Sequence, residues 1–593
     1  MSDKGEDWED EELDDPSPSS RQRLEKGNIL FGLARKEKVK RQGKKPLVQI
    51  RFYWKRVFVF LCVLAVMGWF VCGGALYYYF KHHRDYEEVS YWKMLILPLR
   101  LDGHRQEMGE FFIERGIEEI RDGNARTGFH HLRAGLARSP ANIEARLLVA
   151  RLFRDGLKDN RLAIEALQKG LRYGDRDPRF YEVGYLRPLL FLLQIEERDE
   201  ERVQLADRLL GEIEDPGARG ILQLDAALAE SQLGRYDDAI RRLSRAQLLG
   251  NPSGLLLMGS IFENLGMSGR AGSIYSRGAE LFPKSDKHAE HYFRFLSKEG
   301  MWEDLLSYSG FRGVLNPDSL STAVYRLYAL DGLGRDEEVE EAANSILSKF
   351  GSEEAVFRIL QFASDAERPD LVIPTLDKAQ RIGVLETQHV VVGCLVLCLS
   401  GQSGNALMLL DSLSEEEVAE YPLRVSGIKA MAHEAIGESD VSQLFLQEFL
   451  LSDGTDEAVF GTIGEGFLKL GLKDTGSTVL LRGLEVYPNS QKILELLLGL
   501  ESEDPGSLDY FRHAQALMSG RIPRNELLRQ VRNELVSDRF LFRPGREDLI
   551  ARIDGVLKQE LQAGSAVAVR AGAFDFNETI GLEPEREFMQ LPR

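Results

Sequence analysis

Four cysteines and ten histidines are the residues of this 593-residue chain with the most chemistry to offer. Cys394 and Cys398 stand four apart, and His288 and His291 three apart. A zinc site built on such residues needs further ligands at short spacing, a second CxxC or a His pair, and neither follows. His288-Ala289-Glu290-His291 lacks the HExxH register that would set two imidazoles and a glutamate on one helix face, so it reads as a solvated helix face. His433 falls in an apolar register and reads as a satisfied core histidine. Four cysteines, two of them inside an apolar run, make no disulfide framework. The sequence contains no GxGxxG, no P-loop and no GxSxG. Carboxylates are so abundant that a pair of them points nowhere without geometry. The expectation is a protein that is not an enzyme, with no catalytic residues, no cofactor and no metal.

The elements that would position any site are punctuated by glycine. Leu233-Gly234-Arg235-Tyr236-Asp237-Asp238-Ala239-Ile240 ends one helical pattern and opens another. Gly234 suits a helix C-terminus because it enters the left-handed region without a Cβ clash. Gly266, Gly300, Gly334, Gly401, Gly437 and Gly471 follow at intervals of 32, 34, 34, 67, 36 and 34 residues, the 67 being two periods with one glycine missing. Self-similarity at this period marks a solenoid. Seven residues before each glycine stand Ala227, Gly259, Phe293, Leu327, Cys394, Ala430 and Gly464. Four before stand Glu230, Phe262, Leu296, Leu330, Leu397, His433 and Phe467. Five after stand Ala239, Ala271, Leu305, Val339, Ala406, Ser442 and Gly476. These small and apolar columns fall on one helix face. Cys394 in the first column is therefore core packing.

The best units end alike, Arg277-Gly278-Ala279-Glu280-Leu281-Phe282-Pro283 against Arg482-Gly483-Leu484-Glu485-Val486-Tyr487-Pro488, with proline stopping the second helix. With Gly116, Gly123, Gly128 and Pro140 upstream, the pattern resembles the tetratricopeptide repeat family from about Gly109 to Asn489, over about eleven helix pairs. It departs from that pattern at Gly174–Gly184, which looks like an insertion, and at Glu354–Leu385, where the ladder glycine is absent and distortion is expected. The resemblance implies an all-α fold, a right-handed α-α superhelical solenoid whose first helices line a partner-binding surface. Polar or aromatic residues on those helices are Gln232, Asn264, Arg294, Lys298, Tyr325 and Tyr328.

The N-terminus is of another kind. Nine acids and one base fill the first fifteen residues, and ten basic residues between Arg35 and Arg56 precede an uncharged run from Val57 to Phe80. Twenty-four residues at about 1.5 Å each span roughly 36 Å, enough to cross a bilayer. Tyr77, Tyr78 and Tyr79 end it as an aromatic belt, and only Lys81 and Arg84 closely follow. The positive-inside rule then predicts a single-pass membrane protein with its N-terminus cytoplasmic and its C-terminal domain non-cytoplasmic, periplasmic in a bacterium. Ala65, Gly68, Cys72 and Ala75 form a small-residue stripe on which two copies of the helix could pair as a homodimer. Of 75 basic and 94 acidic residues, 14 and 11 precede residue 57, leaving the remainder at net charge −22, which repels nucleic acid.

The predicted organisation is a disordered cytoplasmic segment over 1–56, acidic then basic; a transmembrane helix over 57–80; and a connector over 81–108. The solenoid follows over 109–490, a helical cap over 491–562 and a loose tail over 563–593. The function expected is a membrane-tethered scaffold holding a protein or peptide partner, itself membrane-associated. Two rivals are an accessory subunit of an envelope polysaccharide-synthesis or secretion complex, and an enzyme with an unrecognised C-terminal site.

Overall fold

The structure, a computed structural model, describes residues 23–29, 33–41, 44–84, 86, 89–452, 456–503 and 509–566. The acidic run before residue 22 and the tail beyond Ala566 lie outside the described residues. The chain divides into two compact units, Met1–Lys158 and Asp159–Arg593.

In the first unit, part of the segment expected to lack structure is a three-stranded antiparallel sheet, Arg23–Ile29, Ala34–Arg41 and Lys44–Phe52. Counting charge hid the alternation of Val48, Ile50 and Phe52 with Gln49 and Arg51, a period of two that pairs Val48 with Lys38 and Ile50 with Lys36. Helix Trp54–His82 follows, with a mean hydropathy of 2.4 over its best window, long and apolar enough to cross a membrane. The expected connector ends at Arg100, because Leu101–Arg121 is one continuous helix. It pairs with Ala125–Leu136 at glycines: a Cβ on Gly116 would stand 2.9 Å from the Gly128 carbonyl oxygen, and one on Gly128 2.7 Å from that of Gly116.

The second unit is a tetratricopeptide-like solenoid. Its first helices run Val183–Ile195, Pro216–Gln232, Pro252–Asn264, Asp286–Lys298, Leu320–Gly332, Glu353–Asp365, Thr387–Leu399, Pro422–Ala435 and Glu457–Lys469. An antiparallel second helix follows each. Many first helices start behind a side-chain cap, as at Asp215, Asn251, Ser285, Ser319, Ser352 and Asp456. They end in a repeated Schellman turn. Gly234, Gly266, Gly300, Gly334, Gly401, Gly437 and Gly471 all have positive φ. The amide after each donates to the residue four before the glycine, as Arg235 to Glu230 at 2.8 Å and Gln402 to Leu397 at 2.8 Å. The missing glycine is Glu367, left-handed at φ 55°, with Arg368 donating to Ala363 at 2.8 Å. The pair it joins, Glu353–Asp365 and Val372–Ile382, is regular, not distorted as expected. Lys158 and Glu197 hold the same conformation at φ 54° and 52°.

The three sequence columns are buried, apart from a half-buried His433. First helices of successive pairs pack on one another along the array more closely than second helices do.

The C-terminal helices Gln491–Ser502, Asp509–Ser519, Asn525–Val536 and Arg546–Ala566 do more than cap the end, and the last runs past the expected boundary at 562. Leu517, Leu528, Val531, Leu535 and Ile553 share one core with Ala227, Tyr236, Leu243, Ile261 and Leu265. The end of the array thus folds back onto the turn edge of its early repeats. The amide of Ile522 donates to the Gln232 carbonyl at 2.8 Å, and Gln559 Nε2 to the Gly234 carbonyl at 2.7 Å.

Two stability measurements test this anatomy. Gly401 has φ 77° and open space around its Hα, so Gly401→Ala should cost about 1–2 kcal/mol through the left-handed backbone alone, while Glu367→Gly should be neutral or stabilising. Gly464→Leu should cost about 1–3 kcal/mol by overpacking, since a Cβ there already stands 2.5 Å from Leu480 Cδ2. Denaturant melts of the purified chain read all three, and an unmoved midpoint for Gly401→Ala would refute the turn assignment.

Candidate functional site

Counting back from each left-handed turn residue gives every first helix a common register. His291, Tyr325 and Arg358 each stand nine residues before their turn; Arg294 and Tyr328 stand six before theirs. On three stacked first helices these positions form one strip. Tyr325 stacks on Phe293 with ring centroids 5.1 Å apart and lies tilted against Tyr328 at 5.5 Å. Tyr328 Oη donates to Asp365 at 2.7 Å, and Arg358 Nη1 lies 3.7 Å from Glu290. Arg358 also donates to Glu354 at 2.7 Å. The first helix before them contributes Glu263, which accepts from Lys298 at 2.9 Å and from Tyr275 Oη at 3.1 Å. The carboxyl of Glu263 is raised by burial, but the bonds from Lys298 and Tyr275 outweigh that and hold it below its usual range. Burial raises the Tyr325 and Tyr328 hydroxyls, so both stay protonated donors.

His291 stands on the first of these three helices, next to Glu263 and Tyr275 of the preceding pair. Its ring stacks on Tyr275 at 5.8 Å, and its Nδ1 accepts from Arg294 Nη2 at 3.0 Å. Burial, then the nearby Arg294, Lys287 and His288, push its pKa down to about 4, so the imidazole is neutral and the acceptor role is consistent. The strip presents aromatic faces, hydroxyls and one guanidinium–imidazole pair, with each cation set against a carboxylate or an acceptor. Such a surface suits hydrogen bonding and stacking with a partner chain.

The six residues singled out from sequence therefore separate. Arg294, Lys298, Tyr325 and Tyr328 come together. Gln232 and Asn264 do not: they stand two residues before their turns, as Lys298 does, but on the two earlier first helices, whose turn ends meet Ile522 and Arg529 of the C-terminal segment, whereas Lys298 reaches Glu263. Gln232 Oε1 accepts at 2.9 Å from Arg202, a fully buried guanidinium that also pairs with Asp199 at 2.6 Å and Asp225 at 2.5 Å. Arg521 from the C-terminal segment adds a bond to Asp199 at 3.0 Å. Gln232 belongs to this internal network rather than to a free surface. A Cβ on Gly266, next to Asn264, would lie 3.7 Å from the Arg529 guanidinium. Between turn 196–201 and segment 519–521 lies a cleft of about 420 Å³ lined by Glu197, Glu200, Glu201, Asn489 and Arg521.

Sequence reasoning missed Glu263, Glu290, Arg358 and Asp365. Locating the turn at Glu367 would have put Arg358 in register with Tyr325. The histidine pair is not a solvated face: His288 is buried, with Nδ1 3.0 Å from Ser285 Oγ and Nε2 3.1 Å from the Pro252 carbonyl, because its helix start is covered by the preceding pair. Cys394 and Cys398 are core residues, and burial pushes their thiols up to about 12 and about 11. His433 is half-buried, 2.8 Å from Glu438 and stacked on Phe445. Among the described residues no cluster of three or more His, Cys, Asp or Glu is arranged to hold a metal.

These helix pairs give the second unit a tetratricopeptide-like solenoid fold. No protein-family model matches it, and no curated protein matches it. Solved structures to which the chain is similar include Naa15/Naa10 bound to HypK-THB, at 12% identity and TM-score 0.28 over 84% of this chain and 80% of that one. The pentatricopeptide repeat protein PPR10 with an 18-nucleotide RNA gives 13% identity and TM-score 0.37 over 74% and 66%. Pseudomonas aeruginosa pilF gives 21% and 0.26 over 37% and 96%. Overlaps this loose transfer neither a family nor a partner, and the repeat assignment rests on the turns and columns above.

The state of His291 gives a pH test. Its folded pKa lies below the unfolded value of 6.5, so its contribution is fully present above pH 6.5 and is lost as pH falls toward 4. His291→Phe keeps the stack on Tyr275 and should remove on the order of 1–3 kcal/mol of that acid-side loss. Between pH 7 and 4.5 the melting temperature of the wild type should fall more steeply than that of the variant; parallel curves would show that His291 titrates normally.

Proposed function

We propose that the protein is a membrane-tethered scaffold that holds a protein or peptide on the inner face of its solenoid. The observation that carries this reading is the strip of His291, Arg294, Tyr325, Tyr328 and Arg358 on successive first helices. Three stacked helices present aromatic and hydrogen-bonding groups in one register, which fits a chain running across the repeats. Helix Trp54–His82 supports the tether by length and composition. The ten basic residues before it support a cytoplasmic N-terminus and a non-cytoplasmic repeat domain. Tethering confines the search for a membrane-bound partner to the membrane plane and raises its effective concentration. The net negative charge of the repeat domain favours a partner with basic patches and disfavours nucleic acid. In this reading the chain binds rather than catalyses.

Two experiments test it. A photo-crosslinking amino acid at Arg294 should trap a discrete protein adduct in intact cells, while one at Glu340, exposed on a second helix, should not. Adding Lys298→Gln and Tyr325→Ala together should weaken that adduct several-fold. The neutral Lys298→Gln is used because a glutamate there would face Glu263. Circular dichroism must show the variant still helical. No adduct at position 294, or equal adducts at 294 and 340, would overturn the inner-face reading; the identity of the adduct separates an envelope-complex subunit from a general adaptor. For topology, a reporter fused after Arg593 should be active only on the non-cytoplasmic side, and cytoplasmic activity would reverse the orientation.

A further inference from the structure

The chain leaves helix Trp54–His82 and turns back along it. Helix Tyr91–Leu95 lies against the C-terminal half of the apolar helix, and the 3-10 turn Leu97–Leu99 follows it. Tyr91 Oη donates to the Phe70 carbonyl at 3.0 Å, and its ring meets Tyr77 edge-on at 6.3 Å. Leu95 covers Gly73, where a Cβ would stand 3.0 Å from Leu95 Cδ2. From Phe70 to Phe80 is about 15 Å along a helix axis, half of a hydrocarbon core of about 30 Å. If the helix spans a bilayer, the returning segment lies at the level of one leaflet.

The segment carries the chemistry such a position demands. Its two cations, Lys93 and Arg100, both pair with Glu107, Lys93 at 3.3 Å. Its outer face is apolar: Trp92 is 69% exposed, Ile96 46%, Leu99 89% and Leu101 60%. Much of its irregular backbone is bonded internally: the Ile96, Leu99 and Arg100 amides donate to the carbonyls of Trp92, Ile96 and Leu97, and Pro98 has no N–H. Unsatisfied backbone groups are what exclude irregular chain from lipid, and none of these amides is left open. The opposite face of the long helix, with Ala65, Gly68, Cys72 and Ala75, stays uncovered.

We infer that residues 91–101 are a second membrane anchor, a returning segment seated in the non-cytoplasmic leaflet beside the span. The inference rests on the reading of Trp54–His82 as a membrane span. A tryptophan and branched aliphatic side chains with neutralised cations match an interfacial element, and direct continuity with the span makes lipid the occupant rather than a soluble partner. The consequence is mechanical. Leu101 begins the helix Leu101–Arg121, so the first helix pair starts at the membrane surface and not at the end of a loose stalk.

The test uses the full chain reconstituted in phosphatidylcholine nanodiscs, with benzoylphenylalanine placed in turn at Leu99, at Trp69 within the span and at exposed Arg126 as background. Irradiation should give lipid adducts at Leu99 comparable with Trp69 and several-fold above Arg126. Adducts at Trp69 with Leu99 at background would overturn the anchor and leave the span intact. Adducts at neither would sink the span and the anchor together. Protein–protein adducts at Leu99 in place of lipid would overturn it in favour of a second copy. Ile96→Glu, which charges the same face without touching Glu107, should lower the Leu99 lipid yield several-fold; an unchanged yield would also count against insertion.

Discussion

The structure depends on one local constraint, the reversal of chain direction between paired helices within a few residues. A left-handed residue makes that reversal and lets the next amide return to a carbonyl of the last helical turn. With the turn fixed, the small residues seven before and five after it face each other, and two helices approach closely enough to bury both apolar stripes. A single pair cannot bury its outer stripe, so each pair depends on its neighbours, and the array becomes one continuous core. Glutamate or lysine in the left-handed position costs something relative to glycine, but Glu367 shows that well-packed flanking helices hold the turn without it.

The return of the C-terminal helices onto the early repeats changes what kind of solenoid this is. An open array has two ends and flexes along its length. Here helices after residue 509 share a core with residues 227–305, which restrains that motion. The polar counterpart of this junction is the network of Arg202, Asp199, Asp225, Gln232 and Arg521. Burying a guanidinium is costly, and the several carboxylate oxygens around Arg202 are what make it tolerable. Burial raises the Asp225 carboxyl even beside Arg202, so the network is tuned closely between desolvation and pairing. Removing one member would strand the others, which makes the junction geometrically selective.

The inner strip and the segment beside the apolar helix follow a shared electrostatic logic. In both, cations are matched within the protein: Lys298 with Glu263, Arg358 with Glu290 and Glu354, and Lys93 and Arg100 with Glu107. Matching leaves the apolar and aromatic groups to meet whatever lies outside. For the strip this favours shape and hydrogen bonding over net charge in setting affinity. For the segment beside the apolar helix it leaves an uncharged, apolar outer face.

The solenoid was legible in the sequence because its determinants are local. Helix periodicity, the turn glycine and the small columns all act within about 35 residues, and each repeat states them again. The first-helix face was legible for the same reason, and it placed Arg294, Lys298, Tyr325 and Tyr328 together. Gln232 shows the limit. Its register marks it as exposed, and only Arg202 thirty residues earlier and Ile522 nearly three hundred later make it internal. The fold-back of the C-terminal helices, the burial of His288 and the docking of Tyr91 on Phe70 were decided by tertiary packing. Each depends on which apolar faces remain uncovered once the repeats have stacked, and that is a property of the assembled curve rather than of any one stretch of chain.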